Sequence, residues 1–218
     1  MRETFHSDLV ELRELLAGMC ERAANAMRLA TEAMLSCDAD AAQAVLAADV
    51  KLDGMRDQCE EQAQQMLALQ APVASDLRQV LAAIYCAEKI ERMGDLAEHI
   101  ASATCRVHPE HVVPPELRDT FRRLGLITAD MAMQLMSFVR TPRAGTFAEL
   151  DAIDHLVDDL HAEVFGTITA KTWSHGVPTA TTLALVARFY ERYADQAVSA
   201  AKRIEFVSTG RTPTLNTR

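Results

Sequence analysis

Aromatic residues supply only 5% of this 218-residue chain, and glycine and proline are scarce, at 8 and 7. Runs of β-branched residues alternating with polar ones are nearly absent, which leaves little basis for a sheet. Positive charge is in deficit, with a formal net charge of -9. No basic cluster of the kind that tracks phosphates stands out, so nucleic acid is not expected as a partner. Anionic membrane surfaces are disfavoured for the same reason. No stretch of about 18 uncharged apolar residues occurs, so direct membrane insertion is not expected. The opening residues Met1 to Asp8 are polar, without the apolar core of a secretory leader. Cysteine is sparse: Cys20, Cys37, Cys59, Cys86 and Cys105, none forming a CxxC pair. An odd, scattered set in apolar helical surroundings reads as reduced thiols acting as small hydrophobes, and a cytoplasmic location is expected. A P-loop, GxGxxG, GxSxG and HExxH are all missing.

What remains is rich in Ala, Leu and Met, with 49% hydrophobic residues. That is helix-forming composition. Apolar residues recur at spacings of 3 and 4 in six segments, for example Leu9, Leu12, Leu16, Met19, Ala23, Met27 and Ala30 in the first. The segments run over about 7–35, 39–69, 75–107, 116–139, 147–171 and 180–207. Asp38 is a cap candidate for the second, and Ser75 or Asp76 for the third. Three prolines, Pro109, Pro114 and Pro115, break the pattern at mid-chain. Residues 1–108 and 114–208 then form two repeats of three helices, each long enough for a bundle with its own core. Residues 209–218 read as a disordered tail. The expected fold class is all-α.

Two phrases support the duplication. Glu91-Arg92-Met93-Gly94-Asp95 returns 100 positions later as Glu191-Arg192-Tyr193-Ala194-Asp195. Asp49-Val50-Lys51-Leu52-Asp53 has a counterpart 105 positions on, Asp154-His155-Leu156-Val157-Asp158. In each phrase two carboxylates stand four residues apart, on one face of a helix. Like charges so placed repel by a few tenths of a kcal/mol, and repeating that cost in both halves suggests a cation beside them. Carboxylate oxygen suits hard cations such as Mg²⁺, Ca²⁺, Mn²⁺ or iron. The alternative is that the pairs are merely solvated faces of an acidic protein, with Arg92 and Arg192 in local ion pairs. Gly94 inside a helix costs roughly 1 kcal/mol and points to a close approach; Ala194 at the matching position favours packing over a special backbone angle. A di-iron carboxylate enzyme would need two Glu-x-x-His pairs on separate helices. The chain has one, Glu3-Thr4-Phe5-His6, plus Asp158-Asp159-Leu160-His161. A helical metal-carboxylate redox or hydrolytic enzyme is therefore the second-ranked reading.

The tandem E/D-x-x-x-D phrases, the six-helix plan and Gln70-Ala71-Pro72-Val73-Ala74-Ser75-Asp76-Leu77-Arg78 resemble the PhoU family. Arg188-Phe189-Tyr190 leading into Glu191 is similar to that family's second signature. The likeness covers about residues 3–208. It implies two three-helix bundles related by a pseudo-two-fold. It implies clusters of iron, zinc or another divalent ion such as Mg or Mn, at Asp49 and Asp53, Glu91 and Asp95, Asp154 and Asp158, and Glu191 and Asp195. It further implies a non-enzymatic adaptor that represses phosphate uptake and the phosphate-starvation response. Its partners would be the ATPase of the phosphate ABC importer (PstB-type) and a PhoR-type sensor histidine kinase, and a homodimer is expected. The second repeat departs from the pattern in Ala194 and in lacking a Pro-x-x-x-Asp-Leu-Arg counterpart after Pro178.

Overall fold

The computed structural model describes residues 2–214. Six α-helices follow in order: α1 (Arg2–Ser36), α2 (Ala39–Gln70), α3 (Ala74–Val107), α4 (Arg118–Arg140), α5 (Thr146–Ile168) and α6 (Gly176–Thr209), with a 3-10 turn at Pro115–Leu117. Among the described residues there is no strand. The chain is all-α, built as two tandem three-helix bundles.

Helix ends follow local chemistry. Asp38 caps α2, its carboxylate accepting from the Ala41 amide at 2.9 Å. Neither Ser75 nor Asp76 caps α3; extended Val73 holds the cap position without a side-chain bond, and both polar residues lie in the first turn. Pro178 falls inside α6, whose start was expected at about residue 180. It sits in the first turn, where its missing N–H leaves no bond unmade, so the helix begins at Gly176 rather than near residue 180. The tail expected from Thr209 falls partly on residues 215–218, outside the described residues. Thr209 itself closes α6, and Gly210 follows with φ 68°.

The two repeats pack through like helices. Glu14 meets Arg140 and the Leu35 carbonyl meets Arg118, so α1 and α4 run antiparallel. Tyr85 meets Ser199 and His99 stacks near Phe189, so α3 and α6 do the same. This is the pseudo-two-fold arrangement. It overturns the expectation that each half keeps its own core, because one continuous apolar cluster runs through both. The reason is visible on α1, where Leu16, Ala17, Met19, Cys20, Ala23, Ala24 and Met27 are all buried. So wide a stripe covers more than one packing face. The proline-rich segment is no loose tether either: Val112 and Val113 are 2% exposed.

The helices come close where side chains are small. An added Cβ at Gly125 would lie 2.4 Å from both Oγ1 and Cγ2 of Thr31 on α1. Thr31 in turn shares a 2.8 Å hydrogen bond with Tyr190 of α6, and Tyr190 lies 6.1 Å from Phe121. Cys20, Cys59 and Cys86 are buried free thiols, and burial pushes Cys59 and Cys86 up to about 12. They are inert packing groups, as their apolar settings imply.

Candidate functional site

Helices α2 and α5 are the outer members of their bundles. Each lays its Asp-x-x-x-Asp face toward the third helix of its own repeat. In the first repeat the approach is set by Gly94. A Cβ there would stand 2.3 Å from Leu52 Cδ2 and 3.1 Å from Asp49 Oδ1. The missing side chain lets α2 settle onto α3 and brings the Asp49 carboxylate up to the acidic stripe of α3. At the matching positions of the second repeat, Val157 and Ala194 are both buried. There Val157 stands for Leu52 and Ala194 for Gly94, a smaller residue on the outer helix and a larger one on the third.

The result is a tight acidic group. Carboxylate oxygens of Asp49, Asp95 and Glu98 all lie within 4.8 Å of one another, half-buried. Asp49 and Asp95 were expected here. Glu98 was not, although Glu91, Asp95 and Glu98 stand at i, i+4 and i+7, a single helical stripe. Around this centre, Glu91 leans toward Arg56 at 3.5 Å, and Asp95 accepts from Arg92. Asp53 lies close enough to act on both Asp49 and Glu91. Burial, then Glu98, Asp53 and Asp95, push Asp49 up to about 6. Glu91 is raised too, by burial and by Asp95, with Arg56 opposing.

The second repeat collects a related but looser set. Asp154 is pushed up to about 7 by burial and by Asp158, Asp195 and Asp151. His155 lies 3.8 Å from Asp151 and 3.7 Å from Asp158. Asp151 is the residue missed here, three positions before Asp154. Glu191 pairs with Arg188. Asp158 and Asp195 are exposed, and among the described residues no second triad closes to 4.8 Å. The two repeats thus recruit their extra carboxylate differently. Position 198, matching Glu98, is Val198, and position 46, matching Asp151, is Leu46.

These donors fit a hard divalent cation. Three converging carboxylate oxygens are an all-oxygen set. Among the described residues the buried Asp154 Oδ1 has no hydrogen-bond partner, which leaves a lone pair free for a ligand. The arginines nearby hold Asp95, Glu91 and Glu191, and among the described residues none pairs with Asp49 or Asp154.

The raised carboxyls carry a pH signature. An acid whose folded-state value lies above its unfolded value binds more protons in the native state, so stability falls as pH rises across that interval. For Asp49 and Asp154 the interval runs from the usual carboxylate range to about 6 and about 7. In chelator, the melting temperature by calorimetry is expected to be higher near pH 5 than near pH 8. With saturating divalent metal the trend should weaken or invert, since ligands must be deprotonated to bind. A metal-free protein that gains stability toward pH 8 contradicts the site's electrostatics.

A family model described as the PhoU domain matches the chain twice, over residues 16–104 and 121–204. The phosphate-specific transport system accessory protein PhoU homolog 2 of Mycobacterium tuberculosis is 38% identical over 213 residues, spanning 98% of this chain and 100% of that protein. PhoU homolog 1 of the same organism is 39% identical over 217 residues, spanning 98% and 97%. The crystal structure of the phosphate transport system regulatory protein PhoU from Streptococcus pneumoniae superposes with a TM-score of 0.83 at 22% identity, over 97% of this chain and 100% of that one. That of PhoU from Pseudomonas aeruginosa gives 0.85 at 21%, over 95% and 100%. Both confirm the fold.

Proposed function

Since the chain belongs to the PhoU family, we propose that it is a cytoplasmic, non-enzymatic adaptor of a phosphate-specific transport system. In high phosphate it holds the importer and the phosphate-starvation response in check. It does so by contacting the importer's ATPase and a sensor histidine kinase, as a homodimer. The observation that carries this reading is the likeness, over the whole chain, to relatives named as accessory proteins of such a system.

The acidic centres give the adaptor its shape. Asp49, Asp95 and Glu98, flanked by Asp53 and Glu91, would hold a divalent ion in the first repeat. Asp154, Asp158, Glu191 and Asp195 would hold one in the second. A bound cation offsets the like-charge repulsion that opposes docking of α2 on α3 and of α5 on α6. Each carboxylate then acts as a positioning group, fixing an outer helix and the surface that it presents. No helix among the described residues is long and apolar enough to cross a membrane. Recognition therefore falls to exposed helix faces.

The test is a phosphate-responsive reporter in a deletion strain, with any paralogue deleted as well. Constitutive expression of starvation genes in high phosphate, reversed by the wild-type gene, is the expected result. Normal repression in the double deletion refutes the adaptor role.

A further inference from the structure

Between the end of α1 and the start of α4 lies an open groove of about 350 Å³. Its lining is unusual for a chain of net charge -9. Arg28 enters from α1, and Arg118 and Arg122 enter from α4. Each guanidinium has donors to spare. Arg118 gives one bond to the Leu35 carbonyl, at 2.5 Å, and Arg28 gives one to Asn25 at 3.0 Å. Among the described residues Arg122 pairs only with Asp119, at 3.2 Å and open to solvent, where an ion pair is weak. Leu126 follows on the same face of α4 and is 60% exposed.

Arg118, Arg122 and Leu126 stand at i, i+4 and i+8. On a helix that places them about 6 Å apart along one line. A partner helix repeats with the same spacing. The groove also contains Glu32, and the α1 carbonyl end is close by. A free oxyanion centred among the arginines would face that carboxylate and the negative end of the α1 dipole. An extended row of separate acids meets the arginines one at a time and avoids that clash.

From this complementarity we infer that the α1/α4 groove is the docking site for an acidic amphipathic helix of a partner protein. The partner segment carries carboxylates one turn apart and an apolar residue one turn beyond. The carboxylates meet Arg118 and Arg122, the apolar residue covers Leu126, and Arg28 closes the far wall. This deepens the adaptor reading by locating a partner surface, at the seam of α1 and α4.

The experiment uses the full chain and a fluorescein-labelled, alanine-rich helical peptide. The peptide bears Glu, Glu and Leu at i, i+4 and i+8. Its scrambled isomer has the same charge. Binding is followed by fluorescence anisotropy. The expected result is binding that weakens at least about tenfold in Arg28→Glu/Arg122→Glu, with Arg123→Glu, on the same helix but outside the groove, changing it less than about twofold. Both charge reversals are at exposed positions, and circular dichroism confirms the fold. The scrambled peptide should bind several-fold more weakly, and millimolar inorganic phosphate should not displace the ordered one beyond an equal ionic strength of chloride. Absence of binding, equal binding of the scramble, insensitivity to the double variant, or specific displacement by phosphate each overturns the inference. Because purified protein is used, any of these leaves the reporter test of the adaptor role standing on its own.

Discussion

Asp49→Asn is expected to remove most divalent metal from the first repeat while making the metal-free protein more stable. Asp49 is the α2 contribution to the triad with Asp95 and Glu98. An amide keeps the shape but loses the charge that a hard cation needs, so affinity should fall at least about tenfold. In the absence of metal the same change removes a carboxylate held up at about 6 by burial and by Glu98, Asp53 and Asp95. After discounting for solvent around this half-buried group, about 1 kcal/mol is regained. For a chain of this size that corresponds to about 2–4 °C in melting temperature. Mass spectrometry of bound metal and calorimetry in chelator give the two readouts. Asp154→Asn should behave alike in the second repeat, leaving first-repeat metal in place. Unchanged metal content in Asp49→Asn would reduce the triad to a solvated acidic face, and a lower melting temperature in chelator would mean that the carboxylate is structurally satisfied.

The second large effect is expected at the seam between the repeats. Gly125→Val should destabilise the protein by about 2–3 kcal/mol, lowering the melting temperature by about 5–10 °C. The new Cβ alone would lie 2.4 Å from Thr31 Oγ1 and Cγ2. Thr31 cannot swing aside. It is β-branched, its hydroxyl bonds the Met27 carbonyl at 2.8 Å, and it holds the Tyr190 hydroxyl. Relief therefore requires α1 and α4 to part, which loosens the shared core. Gly54→Ala is the control, because nothing lies within 4 Å of its added Cβ. It should stabilise by up to about 1 kcal/mol through helix propensity alone. If Gly125→Val melts like the wild type, the close packing of the two repeats is wrong.

Most of the helical plan was legible because periodicity of 3 and 4 is a local signal, written within each segment. The start of α6 was not, because Pro178 reads as a breaker unless its place in the first turn is known. The merging of the two cores was also hidden. An Ala-rich stripe such as Ala17, Ala23 and Ala24 looks the same whether one helix or two lie against it. At the acidic centres, Asp49 and Asp95 could be picked out because both recur in the second repeat. Glu98 and Asp151 escaped for the converse reason: their counterparts are Val198 and Leu46, so a search for duplicated acids passes over them. Nor could sequence alone bring Arg28 next to Arg118 and Arg122, some 90 positions apart; only the antiparallel pairing of α1 with α4 does that.

That antiparallel pairing, α1 on α4 and α3 on α6, is how two copies of a single three-helix unit would meet across a dyad. Joined by residues 108–117, the copies no longer depend on concentration to find each other. They are also freed from being identical. In a dimer of one gene product, any change appears on both sides of the axis at once. In the fused chain, one side can keep Gly94 under Leu52 and recruit Glu98, while the other carries Ala194 and Val157 at those positions and recruits Asp151. The arginine groove shows the same licence. It is built by residues on either side of the seam, and a symmetric pair would have to carry it twice. Covalent linkage thus turns a self-complementary object into a directional one, with two chemically distinct ends.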